Sequence, residues 1–409
     1  VTEDEWPCRD FDPTDEPRLQ DQFAVYRQLR SRSPFARSAK YGQAGWAAVP
    51  ECAWVVSTYD EVKKVAADDD TFSSRIRGGP TRPHAGPDPL IPIHFDPPEH
   101  RIYRAGLSRF FTHRVVASME ASVRQLANEL VVDLFSDAGQ VDLVAGFADR
   151  LPQLVMWRQP LLGEPAPVPG VVDWVAHFAR WVRHTNDPTD VGDTAAREML
   201  DYVSAVFEQR QQNPQQDIPT KLQDSALSPE EQVSALWFLW KAGTETPSAA
   251  LAAILHLLIR DQELWRCLRD QPSLIPSAVE EFLRFIGVVH TGQRFVRRAT
   301  RWNGHDISEG DFIMLLWASA NRDERAFPDA DRLVVDRQPN DHVAFGSGRH
   351  HCLGVHLARL ELRIAIEVFV QQVQSAHLVE GFVPRWKMAG VGRRLQTLPV
   401  QLVLQSVNQ

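Results

Sequence analysis

Apolar side chains return every three or four positions from about residue 99 to residue 285, so helices dominate that stretch. A shorter run of the same spacing predicts a helix near Asp21–Arg32. Trp54-Val-Val-Ser-Thr-Tyr59 is rich in aromatic and β-branched residues and predicts a strand, with a helix over Asp60–Ala67 behind it. Ser228-Pro-Glu-Glu231 predicts a helix start: the serine can cap, proline suits the first turn, and Glu231 can close a capping box. The segment that follows, Val233–Ile259, is apolar on nearly all sides and predicts a helix buried at the centre of the fold. Farther on, Phe295–Arg298, Phe312–Trp317 and Pro399–Leu404 predict short strands. Ser73–Pro89 is dense in glycine and proline and predicts a loop, of the kind that often contacts a ligand. With no repeat, low-complexity tract or linker, the pattern predicts one mainly α domain with small β-sheets over residues 1–409, the first 20 irregular.

Composition narrows the class. The chain is 44% hydrophobic and 24% charged, ordinary for a globular protein able to bury a large core. A net charge of −9 with no basic run argues against nucleic acid as a partner. Cys8, Cys52, Cys267 and Cys352 follow no paired spacing, which suits a reducing cytoplasm better than a disulfide framework. The acidic start lacks the features of a signal peptide. The longest apolar run, Ala249–Ile259, is interrupted by His256 and is short for a bilayer, so no membrane association is expected.

The chemistry concentrates in Phe345-Gly-Ser-Gly-Arg-His-His-Cys-Leu-Gly354, which runs into a helical pattern at Val355–Arg363. Gly346, Gly348 and Gly354 allow left-handed turns and a close approach to a flat ligand. A cysteine just ahead of a helix N-terminus is favoured as thiolate by the helix dipole, as holding a haem iron through sulfur requires. Two other uses compete. A lone cysteine is commonly a small buried hydrophobe. Zinc is the other, since His350, His351 and His356 flank Cys352, but adjacent histidines point apart and no second cysteine pair is near.

The spacing F-G-x-G-x-H-x-C-x-G resembles the haem-binding signature of the cytochromes P450, with every position filled. The resemblance runs from about Phe11 to Leu404 and is most specific between Gly243 and Gly354. It implies the P450 fold, with haem b between the long central helix and the Cys352 loop, and O2 as co-substrate. Cys352 is then the iron ligand, with Phe345, Gly346 and Gly354 shaping its loop.

Four more segments carry the resemblance in order. In Asp96–Arg104, His100 and Arg104 share a helix face and are implied donors to a haem propionate, where otherwise they would be a solvated basic helix end. In Ala242-Gly-Thr-Glu-Thr-Pro247, the small residues Ala242 and Gly243 would let haem approach, and Glu245 and Thr246 resemble the acid–alcohol pair that relays protons. The competing use is a threonine bonded back to its own helix. Pro247 and Lys241 depart from the family pattern: Pro247 would free the Gly243 carbonyl and break the helix, and Lys241 would snorkel to a polar edge. Glu281-Phe-Leu-Arg284 resembles the family's buried structural network, with Arg332 as its third member, against the default of an exposed ion pair. Arg294, chosen over its neighbours Arg297 and Arg298 by spacing, and His350 resemble the family's remaining propionate donors.

The implied activity is a haem-thiolate monooxygenase of soluble bacterial type, with Arg75, Ala242, Thr246, Val288, Val289, His290 and Val391 implied as substrate contacts, within walls formed by 74–93, 174–184 and 389–391. Arg75, Arg77 and His290 suggest a substrate with an acidic or polar group. Tailoring of a natural product is the first reading of the small-molecule substrate, with terpene or aromatic-acid hydroxylation behind it. The chain has no flavin or iron–sulfur motif, so electrons are expected from a ferredoxin and its reductase, docking on Arg101, Arg109, Arg114 and Arg359. A monomer is the family default. A peroxide-driven peroxygenase and a non-catalytic haem sensor are the alternatives.

Overall fold

The computed structural model describes residue 11 and residues 20–32, 34–38, 53–75, 89–135, 140–158, 190–389 and 392–404. Residues Arg77 and Val391, the stretch 174–184, Cys8 and Cys52 lie outside them. The fold is mainly helical with small sheets, as the periodicity predicts.

The N-terminal helix α1 (Gln22–Arg32) leads into β1 (Phe35–Ser38), then β2 (Ala53–Val56), α2 (Tyr59–Ala67) and β3 (Phe72–Ser73). These strands join β5 (Thr291–Val296) and β8 (Phe312–Leu316) in one sheet of order β1-β2-β8-β5-β3. Helices α3 (Glu99–Ser108), α4 (His113–Ala117) and α5 (Glu120–Asp133) follow, then β4 (Gln140–Asp142), a π-helical turn and α6 (Arg150–Arg158). Next come α7 (Asp190–Gln212), α8 (Ile218–Gln223), the central α9 (Pro229–Arg260), α10 (Gln262–Asp270) and α11 (Ile275–Ile286). The short pair β6 (Thr300–Trp302) and β7 (His305–Ile307) and the single turn α12 (Trp317–Ala320) flank β8. After the cysteine loop come α13 (Val355–Gln372), β9 (Val373–Leu378), the hairpin β10 (Trp386–Ala389) and β11 (Gly392–Leu395), and β12 (Pro399–Leu404).

Tertiary contacts shift several predicted ends. Tyr59 starts α2 instead of ending a strand, because Thr58 is extended and the Asp323 carboxylate accepts the Tyr59 N–H at 2.9 Å. Trp317 starts α12, so β8 stops at Leu316. β5 begins four residues before the predicted Phe295, since the polar Thr291-Gly-Gln-Arg294 pairs with β8 from Thr291↔Leu316 to Phe295↔Phe312. Gly292 is needed there: a Cβ would lie 2.5 Å from the Trp317 indole nitrogen.

The central helix starts as predicted. Ser228 Oγ accepts the Glu231 N–H, and the Glu231 carboxylate accepts the Ser228 N–H at 2.8 Å. Twenty of its side chains are buried, against α6, α7, α13 and β11 among others. It is the one helix among the described residues long and apolar enough to cross a membrane, and 72% of its apolar stretch is buried inside the fold, which marks it as a core helix. It runs unbroken through Pro247, so the expected break is absent.

Candidate functional site

The cysteine loop is positioned by its contacts with the end of α2 and by a bond within itself. Gly346 and Gly348 take φ of 73° and 71°, a region that favours glycine, and a Cβ on Gly348 would meet the Ala66 carbonyl oxygen of α2 at 2.5 Å. Arg349 pairs with Asp69 just beyond α2. The Cys352 N–H donates to the Phe345 carbonyl at 2.9 Å, closing the loop on itself. Gly354 has a φ of −88°, so its role is not a left-handed turn. Its Cβ position is open, with nothing within 4 Å.

Burial raises the Cys352 thiol, and the Gly354 N–H, Arg104 and Arg359 offset this only in part. Among the described residues no cluster of histidine, cysteine and carboxylate could hold a metal ion, which leaves the zinc alternative without a ligand set.

A second group converges beside this loop. The rings of His100 and His350 lie 4.3 Å apart, and His100 Nε2, His350 Nε2 and Arg294 Nε are buried without a partner. Burial pushes Arg294 down to about 10 and, with Arg294 and His100 adding to the effect, His350 down to about 3. His100 is lowered by burial and then by Arg104. Buried donors without acceptors are costly. This arrangement fits a ligand that brings anionic oxygens, as haem propionates would, while the open face at Gly354 fits a flat ring.

On the central helix, Ala242 and Thr246 share a face one turn apart and are partly open. The Thr246 hydroxyl donates to the Ala242 carbonyl at 2.9 Å, and that of Thr244 to Trp240 at 3.0 Å. Lys241 donates to Glu245 at 2.7 Å, so it pairs along the helix instead of reaching a polar edge. Gly243 does not face a ligand: its Cβ direction meets the Met156 sulfur of α6 at 2.6 Å, which makes it a helix-packing position.

The Glu281–Arg284 pair is fully buried, with Arg284 Nε and Nη2 each 2.7 Å from a carboxylate oxygen. Its third member is Arg337, whose Nε lies 3.1 Å from both oxygens. Arg332 points out, 77% exposed, and contributes its backbone carbonyl alone to Arg284 and Arg337. Burial raises Glu281, but Arg284, the Val334 N–H and Arg337 outweigh it and hold the carboxyl below its ordinary value.

Two predicted substrate contacts are placed elsewhere. Arg75 pairs with Glu99 at 2.9 Å on the surface. His290 is fully buried against α1, its Nδ1 2.8 Å from the Tyr26 hydroxyl and its ring packed on Phe23. Val288 is buried and Val289 half-buried, next to β11. A surface cleft of about 800 Å³ lined by Phe35, Trp54 and Tyr59 contains none of the predicted site residues. Sequence reasoning leaves out Arg337 and Met156, and it sends Lys241 to a polar edge instead of to Glu245. Only Lys241 carried a signal, a lysine inside an apolar helix.

The fold and the site together give a mainly helical protein whose cysteine loop, with buried unpartnered nitrogens beside it, fits a flat prosthetic group with anionic arms. The cytochrome P450 family model matches residues 268–377. Mycinamicin IV hydroxylase/epoxidase of Micromonospora griseorubida is 33% identical over 394 residues, 92% of this chain and 94% of that protein. Nocardicin C N-oxygenase of Nocardia uniformis is 31% identical over 95% of this chain and 97% of that protein. Among solved structures, a cytochrome P450 from Chondromyces apiculatus superposes with a TM-score of 0.84 at 26% identity, covering 98% of this chain and 100% of that one. The chain belongs to the cytochrome P450 family and is a monooxygenase; the fold implies haem and the use of O2.

Proposed function

We propose that this P450 carries haem b on Cys352 and oxidises a small organic substrate in natural-product tailoring, with electrons from a ferredoxin and its reductase. The observation that carries the reading is the convergence of the Cys352 loop with the unpartnered His100, His350 and Arg294 nitrogens. Haem held by sulfur would supply O2 activation, which the electron-donating sulfur would assist. The chain's own residues hold and orient. Cys352 would hold the iron, His100, Arg104, Arg294 and His350 would hold the propionates, and Ala242 and Gly354 would leave room for the ring. Thr246 would present a hydroxyl and Glu245 a carboxylate for proton delivery. Apolar Val288 and Val289 support an organic substrate. Relatives named for mycinamicin IV and 6-deoxyerythronolide B support the tailoring role.

Arg101 and Arg114 are exposed and suited to an acidic ferredoxin. Arg359 is engaged by Glu280 at 2.6 and 2.8 Å, and Arg109 donates to the Lys221 carbonyl, so the dock rests on the first two. The proposed site of action is the cytoplasm, as a monomeric single-domain protein.

The test is the reduced, carbon-monoxide-bound spectrum of the haem-loaded protein. The strongly red-shifted band of a thiolate ligand is expected, and is lost in Cys352→Ser. A colourless protein, or a band that survives the substitution, overturns the reading. The Lys241–Glu245 pair favours one alternative, a peroxygenase driven by peroxide, which needs no proton delivery. Turnover with hydrogen peroxide and none with ferredoxin would select it.

A further inference from the structure

We propose that Lys241 is a positioning residue that holds the Glu245 carboxylate away from Thr246, so that proton delivery requires this ion pair to open. The proposal rests on the monooxygenase reading above. Lys241 Nζ lies 2.7 Å from Glu245 Oε2, and the two side chains are only 17% and 12% exposed. Adjacent residues on a helix project about 100° apart, so a glutamate engaged with its i−4 neighbour lies along the 241–245 face and not over Thr246. Thr246 is held in the same manner, by the Ala242 carbonyl one turn back. Acid and alcohol therefore each bond one turn toward the N-terminus and share no bond with each other.

Helix geometry does not by itself select this pair. Lysine N-terminal to glutamate is the weaker order on a helix, and the free-helix value is tenths of a kcal/mol. The low exposure of both groups strengthens it, because a partly dehydrated pair is screened less than a surface one. The lysine thus adds a step that a helix with an uncharged residue at 241 would lack.

The experiment compares wild type, Lys241→Met and Lys241→Arg as haem-loaded proteins with a surrogate ferredoxin and reductase. Substrate-free NADPH consumption is measured in H2O and in D2O. Lys241→Met is expected to consume NADPH about two- to fivefold faster, the rate equivalent of a partly screened ion pair. Its solvent isotope effect should fall toward unity, while Lys241→Arg keeps both wild-type values. A readout independent of turnover is the Glu245 carboxylate infrared band, assigned by subtraction of Glu245→Gln, which should shift in Lys241→Met alone. Rates, isotope effects and band unchanged in Lys241→Met overturn the proposal. A slower Lys241→Met also overturns it, since the lysine would then be a proton donor. Lys241→Arg behaving like Lys241→Met overturns it as well, because the charge would be irrelevant. Failure of the monooxygenase reading is separate: it shows as a wild type without the red-shifted carbon-monoxide band.

Discussion

Arg337 Nε sits 3.1 Å from both carboxylate oxygens of Glu281, while Arg332, five residues earlier, turns its guanidinium to solvent. Removing one partner of a buried charged network costs about 3–5 kcal/mol. Arg337→Ala should lose stability of that order and retain haem poorly. Arg332→Ala should stay within about 0.5 kcal/mol, the usual range for surface changes. Denaturant unfolding of both variants checks the assignment, and equal losses would contradict it.

Two glycines of the cysteine loop should separate folding from cofactor binding. Gly348→Ala places a Cβ 2.5 Å from the Ala66 carbonyl oxygen at positive φ, so the loop must shift and the protein destabilise by roughly 1–3 kcal/mol. Gly354→Ala meets no atom within 4 Å at a φ open to any residue. It should leave the apoprotein melting temperature unchanged while weakening haem uptake, measured by hemin titration.

Gly243→Ala should destabilise by about 1–3 kcal/mol through overpacking, because its new methyl would lie 2.6 Å from the Met156 sulfur. Adding Met156→Ala should recover part of the loss. A double-mutant cycle with no coupling would show that Gly243 is constrained by something else.

Stability should fall in mild acid. Burial, with Arg260 and Arg393 adding to it, pushes His256 down to about 4, and burial drives His290 well below its ordinary value. These rings are neutral when folded, whereas the unfolded chain takes up protons below about pH 6.5. The unfolded state thus binds more protons there, and stability drops as pH falls from 6.5. His256 alone accounts for about 2 kcal/mol at pH 5. His256→Gln should flatten the dependence between pH 7.5 and 5, read from denaturation midpoints. Glu361 has the opposite sign. Burial raises its carboxyl well above the ordinary value, so stability declines as pH rises above about 4.5, where the unfolded glutamate ionises. Glu361→Gln should therefore stabilise more at pH 8 than at pH 5.

The parts legible in the sequence are those where spacing alone fixes geometry. Cys352 and its glycines lie within ten residues, and the Ser228–Glu231 capping box within four, so local rules suffice. The errors share a different cause. Arg332 and Arg337 follow an irregular segment, where nothing in the sequence sets which guanidinium turns inward. His290 stands at a strand entrance, where Tyr26, 264 residues away, decides its direction. Gly243 reads as a gap for a ligand, but the gap is filled by Met156 from another helix. Arg75 is taken by Glu99, 24 residues farther along the chain, a pairing that no local spacing announces.

The fastening of the approach to the cysteine has its own consequence. Glu281 also accepts the Val334 N–H and the Asn340 amide, and Asn321 Oδ1 accepts the Val343 N–H at 2.7 Å. Every one of these anchors is supplied by the polypeptide. A change at Glu281 or Asn321 would therefore misplace the sulfur from a distance, without altering any side chain beside it.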